Sequence, residues 1–216
     1  MQWSQQAIAA IQPIYTQIMI HPFIQQLADG SLNAAQFRHY IEQDALYLAQ
    51  YRKIMAAIAA RCDDLVHQNC FLHFAVATIE AEQALHQTFL GQQDLTQLSA
   101  SPSNLLYTGY LYQQLNTQPL AVCVASILPC FYLYQQVGQA LQTQSTDNAH
   151  PYAQWINTYA SATFEQDVKT VLTIADELAK ASTEAICAQM TEVFIQASKM
   201  EWLFWDSAWR EETWLI

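Results

Sequence analysis

Apolar residues recur along this chain at intervals of three and four, the repeat of an amphipathic helix, and no segment alternates convincingly as a half-buried strand would. The first helical stretch covers about Trp3 to Ile20, with Pro13 an expected bend. "HPF" (His21 to Phe23) interrupts it, and "ADGSLN" (Ala28 to Asn33) reads as a turn. Asn33 can N-cap a long helix to about Arg61, because its side-chain oxygen can accept from a first-turn N–H. Asp63 or Asp64 can cap the next helix, which ends near Gly91. "SASPSN" (Ser99 to Asn104) is a loop feeding a helix with Tyr107, Tyr110 and Tyr112, which "NTQPL" (Asn116 to Leu120) breaks. A strongly apolar helix then lasts to about Gln142, followed by the polar loop "QSTDNAHP" (Gln144 to Pro151). Three more helices are expected, over about Pro151 to Ser161, Phe164 to Lys180 and Thr183 to Trp209.

No internal repeat or linker divides this pattern. The expectation is a single all-α domain over 1–216, with roughly seven or eight helices packed as ridges in grooves.

Composition supports that class and removes several functions. Apolar residues make up 52% of the 216 and charged ones 12%, enough to bury a sizeable core. Only 4 Gly and 6 Pro argue against disorder and against a turn-rich β fold. The formal net charge is −11, with 8 Lys and Arg and no basic run, so the positive footprint that nucleic acid or an anionic membrane requires is missing. The N-terminal stretch lacks the charged start and continuous apolar core of a signal peptide, and the apolar runs are short or interrupted, so no membrane span is expected. Five cysteines without a CxxC pair read as free thiols in a reducing cytoplasm.

Four places could carry chemistry. In "EQDALYLAQY", Asp44, Tyr47 and Tyr51 share one helix face, which puts a carboxylate on a core-like aromatic stripe. It is either a structural acid with a buried partner or a site residue. In "SILPCFYLYQQVG", Cys130 follows Pro129, and Tyr134 lies one turn on. Most such cysteines are small hydrophobes, and a nucleophile needs a nearby base or positive field that the local sequence does not supply. In "KMEWLFWDSAW", Glu201 sits among Trp202, Phe204, Trp205 and Trp209; an apolar setting raises a carboxyl pKa and suits a general acid, while the alternative is a surface Glu on an amphipathic helix. Glu82 and His86 in "IEAEQALH" have the wrong spacing for a di-iron Glu-x-x-His ligand pair and no second copy, so a structural hydrogen bond is the better reading. His21, before a proline at a helix end, reads as a capping or packing residue rather than a haem ligand. No phosphate-cradling glycine loop is present.

In order and spacing, "HPFIQQLADGSL", "FRHYIEQDALYLAQY", "EQALH", "NLLYTGYLYQQL", "LPCFYLYQQVG", "PYAQWINTYAS" and "ASKMEWLFWDSAW" together resemble the TenA (thiaminase II) family over nearly the whole chain. That resemblance implies the haem-oxygenase-like all-helical fold and a hydrolase of aminopyrimidines in thiamin salvage, one that converts 4-amino-5-aminomethyl-2-methylpyrimidine to the 5-hydroxymethyl compound plus ammonia and can also cleave thiamin. "LPCFYLY" places the chain in the branch that carries the cysteine. By matching motif positions, the resemblance implies Cys130 as nucleophile and Glu201 as the acid that protonates the leaving amine. It implies Asp44 at the amidine-like ring edge, Tyr47 and Tyr107 orienting these groups, and Tyr134, Tyr159 and Phe204 around the flat ring. Phe131 and Tyr132 fall at variable positions and bear on the shape of the pocket. No cofactor or metal is implied, and the family is commonly tetrameric. Competing readings are a PqqC-like or di-iron oxidase on the same fold, and a non-catalytic pyrimidine-binding or regulatory protein.

Overall fold

The computed structural model describes residues 1–91, 97–144 and 150–216, with backbone only at 80–84, 86, 87 and 144. Among the described residues there are ten helices and no strand: α1 (Trp3–Ala10), α2 (Gln12–Met19), α3 (Pro22–Asp29), α4 (Ala34–Arg61), α5 (Leu65–Phe89), α6 (Pro102–Thr117), α7 (Leu120–Gln144), α8 (Ala153–Tyr159), α9 (Ala162–Lys180) and α10 (Glu184–Trp209). The all-α expectation holds, and two helices more than expected come from the N-terminal fifty residues and from local chemistry there. Pro13 does mark a break: it sits in the first turn of α2, where its missing N–H would have no helical partner anyway. The residues 22–29, not assigned as a helix from sequence, form α3 because His21 accepts from the Phe23 N–H (3.1 Å) and Pro22 opens the first turn. Gly30, at φ 78°, ends α3 in the left-handed conformation.

The other starts are capped as their sequences suggest. Asn33 accepts from Ala35 N–H, and Asp64 from the N–H groups of Val66 and His67. Ser101, Ser161 and Thr183 cap α6, α9 and α10 through N–H groups three residues on. Most of the polar loop after α7 and the side chains of Glu82 and His86 lie outside the described residues.

Two long helices, α7 and α10, pack side by side at the centre, with α4, α6, α8 and α9 around them. By length and composition α7 could cross a membrane, yet it is mostly buried inside the protein, and its apolar side chains form core. At Gly138 the neighbouring helix comes so close that a Cβ would stand 2.8 Å from the Tyr159 carbonyl carbon, so glycine sets how near α8 lies to α7. The start of α6 is fixed against α4 by Gln43, whose Oε1 accepts from Ser101 N–H (2.9 Å) and from Asn104 Nδ2 (3.1 Å).

Candidate active site

Three long helices and two shorter ones converge on one buried polar cluster. From α4 come Tyr40, Asp44, Tyr47 and Tyr51, spaced four, three and four apart and therefore on one face. From α6 comes Tyr107, from α7 Cys130 and Tyr134, from α8 Trp155 and Tyr159, and from α10 Glu201, Phe204 and Trp205. Asp44 is 3% exposed and Glu201 1%, so both carboxyl groups are within the core rather than on a solvated face.

Glu201 Oε1 accepts a 2.7 Å hydrogen bond from the Tyr107 hydroxyl. Burial pushes the Glu201 pKa up to about 8; the Tyr107 bond opposes that rise and the charge of Asp44 adds to it. At neutral pH the carboxyl therefore holds its proton. The Cys130 thiol is also pushed well above its ordinary value, first by burial and then by Glu201 and Asp44. The Tyr47 and Tyr51 hydroxyls work the other way. Tyr51 donates to the Ile127 carbonyl (2.7 Å). The Tyr47 hydroxyl is near enough to favour a thiolate, yet it is buried without a hydrogen bond of normal geometry, which leaves an interior donor open to a ligand.

Aromatic rings enclose this cluster. Tyr47 lies 5.0 Å from Tyr107 and 5.7 Å from Phe204 between centroids, and Tyr134 lies 4.8 Å from Tyr159. The Tyr40 hydroxyl accepts from Trp155 Nε1 (3.1 Å) and is 3.4 Å from the Tyr134 hydroxyl, to which it donates. Such a setting suits a small flat heterocycle approached by a few polar groups.

A cavity of about 260 Å³ reaches Cys130 from the side of α5, α8 and α9, and Tyr51, Phe131, Tyr159, Phe164 and Asp167 also line it. Cys130 is partly exposed while its surroundings are enclosed, because what it faces is this cavity. A larger cleft of about 680 Å³, between the N-terminus and α9, contains none of these groups and has no link to their chemistry.

All eight residues singled out from sequence thus have buried or cavity-facing positions in one region. Tyr134 belongs to the enclosed part and not to the cavity wall that Cys130 shares with Phe131. Tyr132 is half-buried and absent from that wall. Sequence reasoning named Tyr51 and Trp205 only as neighbours of Asp44 and Glu201, and did not single out Tyr40, Trp155, Phe164 or Asp167. Tyr40 was legible as an extension of the Asp44–Tyr47–Tyr51 stripe; Phe164 and Asp167 carry no signal, since α9 is an ordinary amphipathic helix until its packing is known. His21 caps α3 and faces Asp206 at 3.4 Å, a structural placement far from a ligand role. Among the described residues no group of three or more His, Cys, Asp or Glu is arranged to hold a metal.

A thiol, a buried carboxyl group whose pKa is raised, a second carboxyl group and an aromatic enclosure are the kinds of group that can support addition to an electron-poor ring and expulsion of a leaving group. Known proteins agree with the fold and indicate the family. The model of the TENA/THI-4/PQQC family matches residues 8–211. An aminopyrimidine aminohydrolase of Bacillus subtilis (strain 168) is 34% identical over 220 residues, spanning 99% of this chain and 92% of the relative. A second protein of that name, from Halalkalibacterium halodurans, is 30% identical over 209 residues, spanning 94% and 93%. Among solved structures, a TenA homologue from P. horikoshii OT3 superposes with a TM-score of 0.88 at 22% identity, covering 97% of this chain and 99% of that one. Haem oxygenase-1 from the cyanobacterium Synechocystis, at 0.68 and 14% identity over 96% and 92%, shares the fold alone. On the family match and these full-length relatives, the chain belongs to the TENA/THI-4/PQQC family.

Proposed function

We propose that this protein is an aminopyrimidine aminohydrolase of the thiaminase II type, acting in thiamin salvage by covalent catalysis through Cys130. The observation that carries the reading is a fully buried carboxyl group, Glu201, bonded by the Tyr107 hydroxyl at 2.7 Å in the same aromatic cluster as the cysteine; its burial favours the protonated form. The names of full-length relatives supply the substrate class.

In this reading the Cys130 sulfur bonds to the unsubstituted ring carbon next to the one that carries the methylene, and the thiol proton passes to the ring nitrogen adjacent to that carbon. No free thiolate has to accumulate, which suits a thiol whose pKa burial has raised. Asp44 hydrogen-bonds the amidine-like edge and stabilises the electron-rich adduct. The 4-amino lone pair then drives the methylene C–N bond to break, and Glu201 gives its proton to the departing amine, which leaves as ammonia. Water adds to the exocyclic methylene and returns a proton to Glu201. Finally the sulfur–carbon bond breaks, the ring nitrogen's proton returns to sulfur, and the hydroxymethylpyrimidine is free. The open Tyr47 hydroxyl is available to the adduct, and Tyr107 holds Glu201 in place. Tyr134, Tyr159 and Phe204 enclose the ring plane.

Turnover of the aminomethylpyrimidine, followed as ammonia release, tests this. Loss of turnover in Cys130→Ala supports it; unchanged turnover in that variant defeats the mechanism, and no turnover in the unmutated protein defeats the function in favour of a binding protein. The same reading carries a cytoplasmic homo-oligomer, a tetramer by family resemblance. The exposed apolar residues Leu72, Val76 and Ile79 on α5 are consistent with an interface, and light scattering would measure its order.

A further inference from the structure

We propose that Glu212, in the segment that follows α10, is a positioning residue for the reaction: by capping the start of α6 it holds Tyr107 where its hydroxyl can donate to Glu201. The inference rests on the hydrolase reading above, in which Glu201 is the acid, and names a residue outside the buried cluster on which that acid's state depends.

An α-helix leaves its first four N–H groups without intrahelical partners. At the start of α6 all four are accounted for. The Ser101 N–H donates to Gln43 Oε1 (2.9 Å), Pro102 has no N–H, and the Asn104 N–H donates to Ser101 Oγ (3.2 Å). The fourth, on Ser103, donates to Glu212 Oε2 at 2.8 Å. A carboxylate there also meets the positive end of the helix dipole.

Ser103 lies one turn before Tyr107, and both are buried. In an α-helix the Tyr107 N–H donates to the Ser103 carbonyl, and the two side chains share a face. Glu212 therefore fixes the N–H side of the residue whose carbonyl anchors Tyr107. Glu201 and Glu212 belong to α10 and its extension, so α6 is tied to one element at two points a turn apart: Tyr107 to Glu201 (2.7 Å) and Ser103 to Glu212.

The backbone after α10 is shaped for this contact. Glu211 has φ 48°, a left-handed conformation that glycine adopts freely and other residues rarely. There the Glu211 N–H donates to the Ala208 carbonyl (3.1 Å) and the Glu212 N–H to the Ser207 carbonyl (2.8 Å), which ends α10 and reverses the chain. Gln36 Nε2 holds the Trp209 carbonyl (2.6 Å) on one side of the reversal, and Trp214 Nε1 holds the Ala100 carbonyl (3.0 Å), just before α6, on the other. A non-glycine residue kept in that conformation points to a use for the reversal, and the cap on Ser103 is what it delivers.

Without Glu212 the first turn of α6 loosens, and the Tyr107 hydroxyl donates less well. That hydroxyl favours the Glu201 carboxylate, so the Glu201 pKa rises further. The other titratable groups that face Glu201 are Asp44, Tyr47 and Tyr51 from α4, Cys130 and Tyr134 from α7, and Tyr159 from α8. A substitution at Glu212 leaves them in place, so a shift in Glu201 reads Tyr107.

The test is the pH dependence of kcat in Glu212→Ala. The alkaline limb should move upward from about 8 by about half a pH unit, part of what full loss of a hydrogen bond to a charged group gives. At neutral pH kcat should fall by about tenfold with KM nearly unchanged, because the acid is misplaced rather than the substrate. Glu212→Gln keeps an acceptor and should restore most of both. Thr183→Ala, which removes the cap at the far end of α10, should lower the urea midpoint without moving the limb. In a Tyr107→Phe background, Glu212→Ala should move the limb no further. An unmoved limb in Glu212→Ala, with or without lost stability, overturns the proposal, as does a second shift on top of Tyr107→Phe. Should the alanine variant fail to fold, Glu212→Asp, one methylene short of Ser103, takes its place. Independently of turnover, the upper end of the pH range over which urea midpoints slope follows the folded-state pKa of Glu201, and it should rise in Glu212→Ala; an unchanged upper end overturns the proposal. Absence of turnover in the unmutated protein counts against the hydrolase reading, whereas turnover with an unmoved limb in Glu212→Ala counts against this positioning role alone.

Discussion

The Tyr107 hydroxyl and Glu201 Oε1 stand 2.7 Å apart, joining α6 to α10 in a region from which solvent is nearly excluded. The hydroxyl donates, and by favouring the carboxylate it holds the Glu201 pKa below the value burial alone would impose. Removing this donor in Tyr107→Phe should move the alkaline limb of the rate profile upward from about 8. It should also destabilise the protein by about 1–3 kcal/mol, because a buried polar group loses its partner. A pH–kcat profile and a denaturant titration of the variant check both; a limb that moves downward contradicts this account of Glu201.

Glu201 itself makes stability depend on pH. Its pKa is raised from 4.5 to about 8 on folding, so the folded state retains a proton that the unfolded chain releases across that window. This contribution is fully present below 4.5 and is lost as pH rises through about 8, with a slope of about 1.4 kcal/mol per pH unit in between. Glu201→Gln should flatten the stability–pH curve between those limits and lower kcat by about 10²–10⁴-fold, the usual share of a general acid. Urea midpoints at pH 5, 6, 7 and 8 are the measurement.

Cys130 should alkylate slowly at neutral pH and faster as pH rises, because burial and nearby acidic groups, Glu201 once ionised and Asp44, disfavour its thiolate. Iodoacetamide rates against pH test this, with Cys130→Ala distinguishing it from the four other cysteines. A thiolate pKa near 4 would reject substrate-assisted activation.

Gly138→Ala should displace α8 and with it Tyr159. The added Cβ meets the Tyr159 carbonyl carbon and the Tyr159 Cβ at 2.8 Å, a backbone encounter that no rotamer change relieves. The expected cost is about 1–3 kcal/mol in stability, together with a raised KM for the pyrimidine. A thermal melt with matched kinetics reads both effects.

Pro129 lies inside α7, immediately before the cysteine. It cannot donate to the Ala125 carbonyl, and in a regular helix interior that costs about 3 kcal/mol. If the local geometry serves to aim the thiol, Pro129→Ala should gain stability and lose turnover. A variant with full activity and an unmoved sulfur would show that the proline serves no such purpose.

How much of this was legible in the sequence differs from part to part. The long helices α4, α7 and α10 were readable within a few residues, since Asn33 and Thr183 are strong caps and their apolar repeats run for many turns. The helix α3 was hidden because eight residues that begin with a proline and end before a glycine look like a linker until His21 is seen to cap them. The chemistry of Cys130 was unreadable from its neighbours. Its partners come from α4 and α10, and only tertiary packing brings Asp44 and Glu201 to one thiol. Family resemblance supplied those partners by motif order, whereas Asp167 had no motif and became visible only as part of a cavity wall.

The groups to which the proposed chemistry assigns the bond changes, Cys130 and Glu201, are carried by the long central helices, while the cavity that reaches Cys130 is bounded by α5, the short α8 and the first turns of α9. These two sets of positions are separable under mutation. Substitutions at Thr163, Phe164 or Asp167 can change which molecules arrive without altering the distance between Tyr107 and Glu201. Drift in substrate range among descendants of this sequence should therefore gather in the α8–α9 corner, with the chemistry inherited intact.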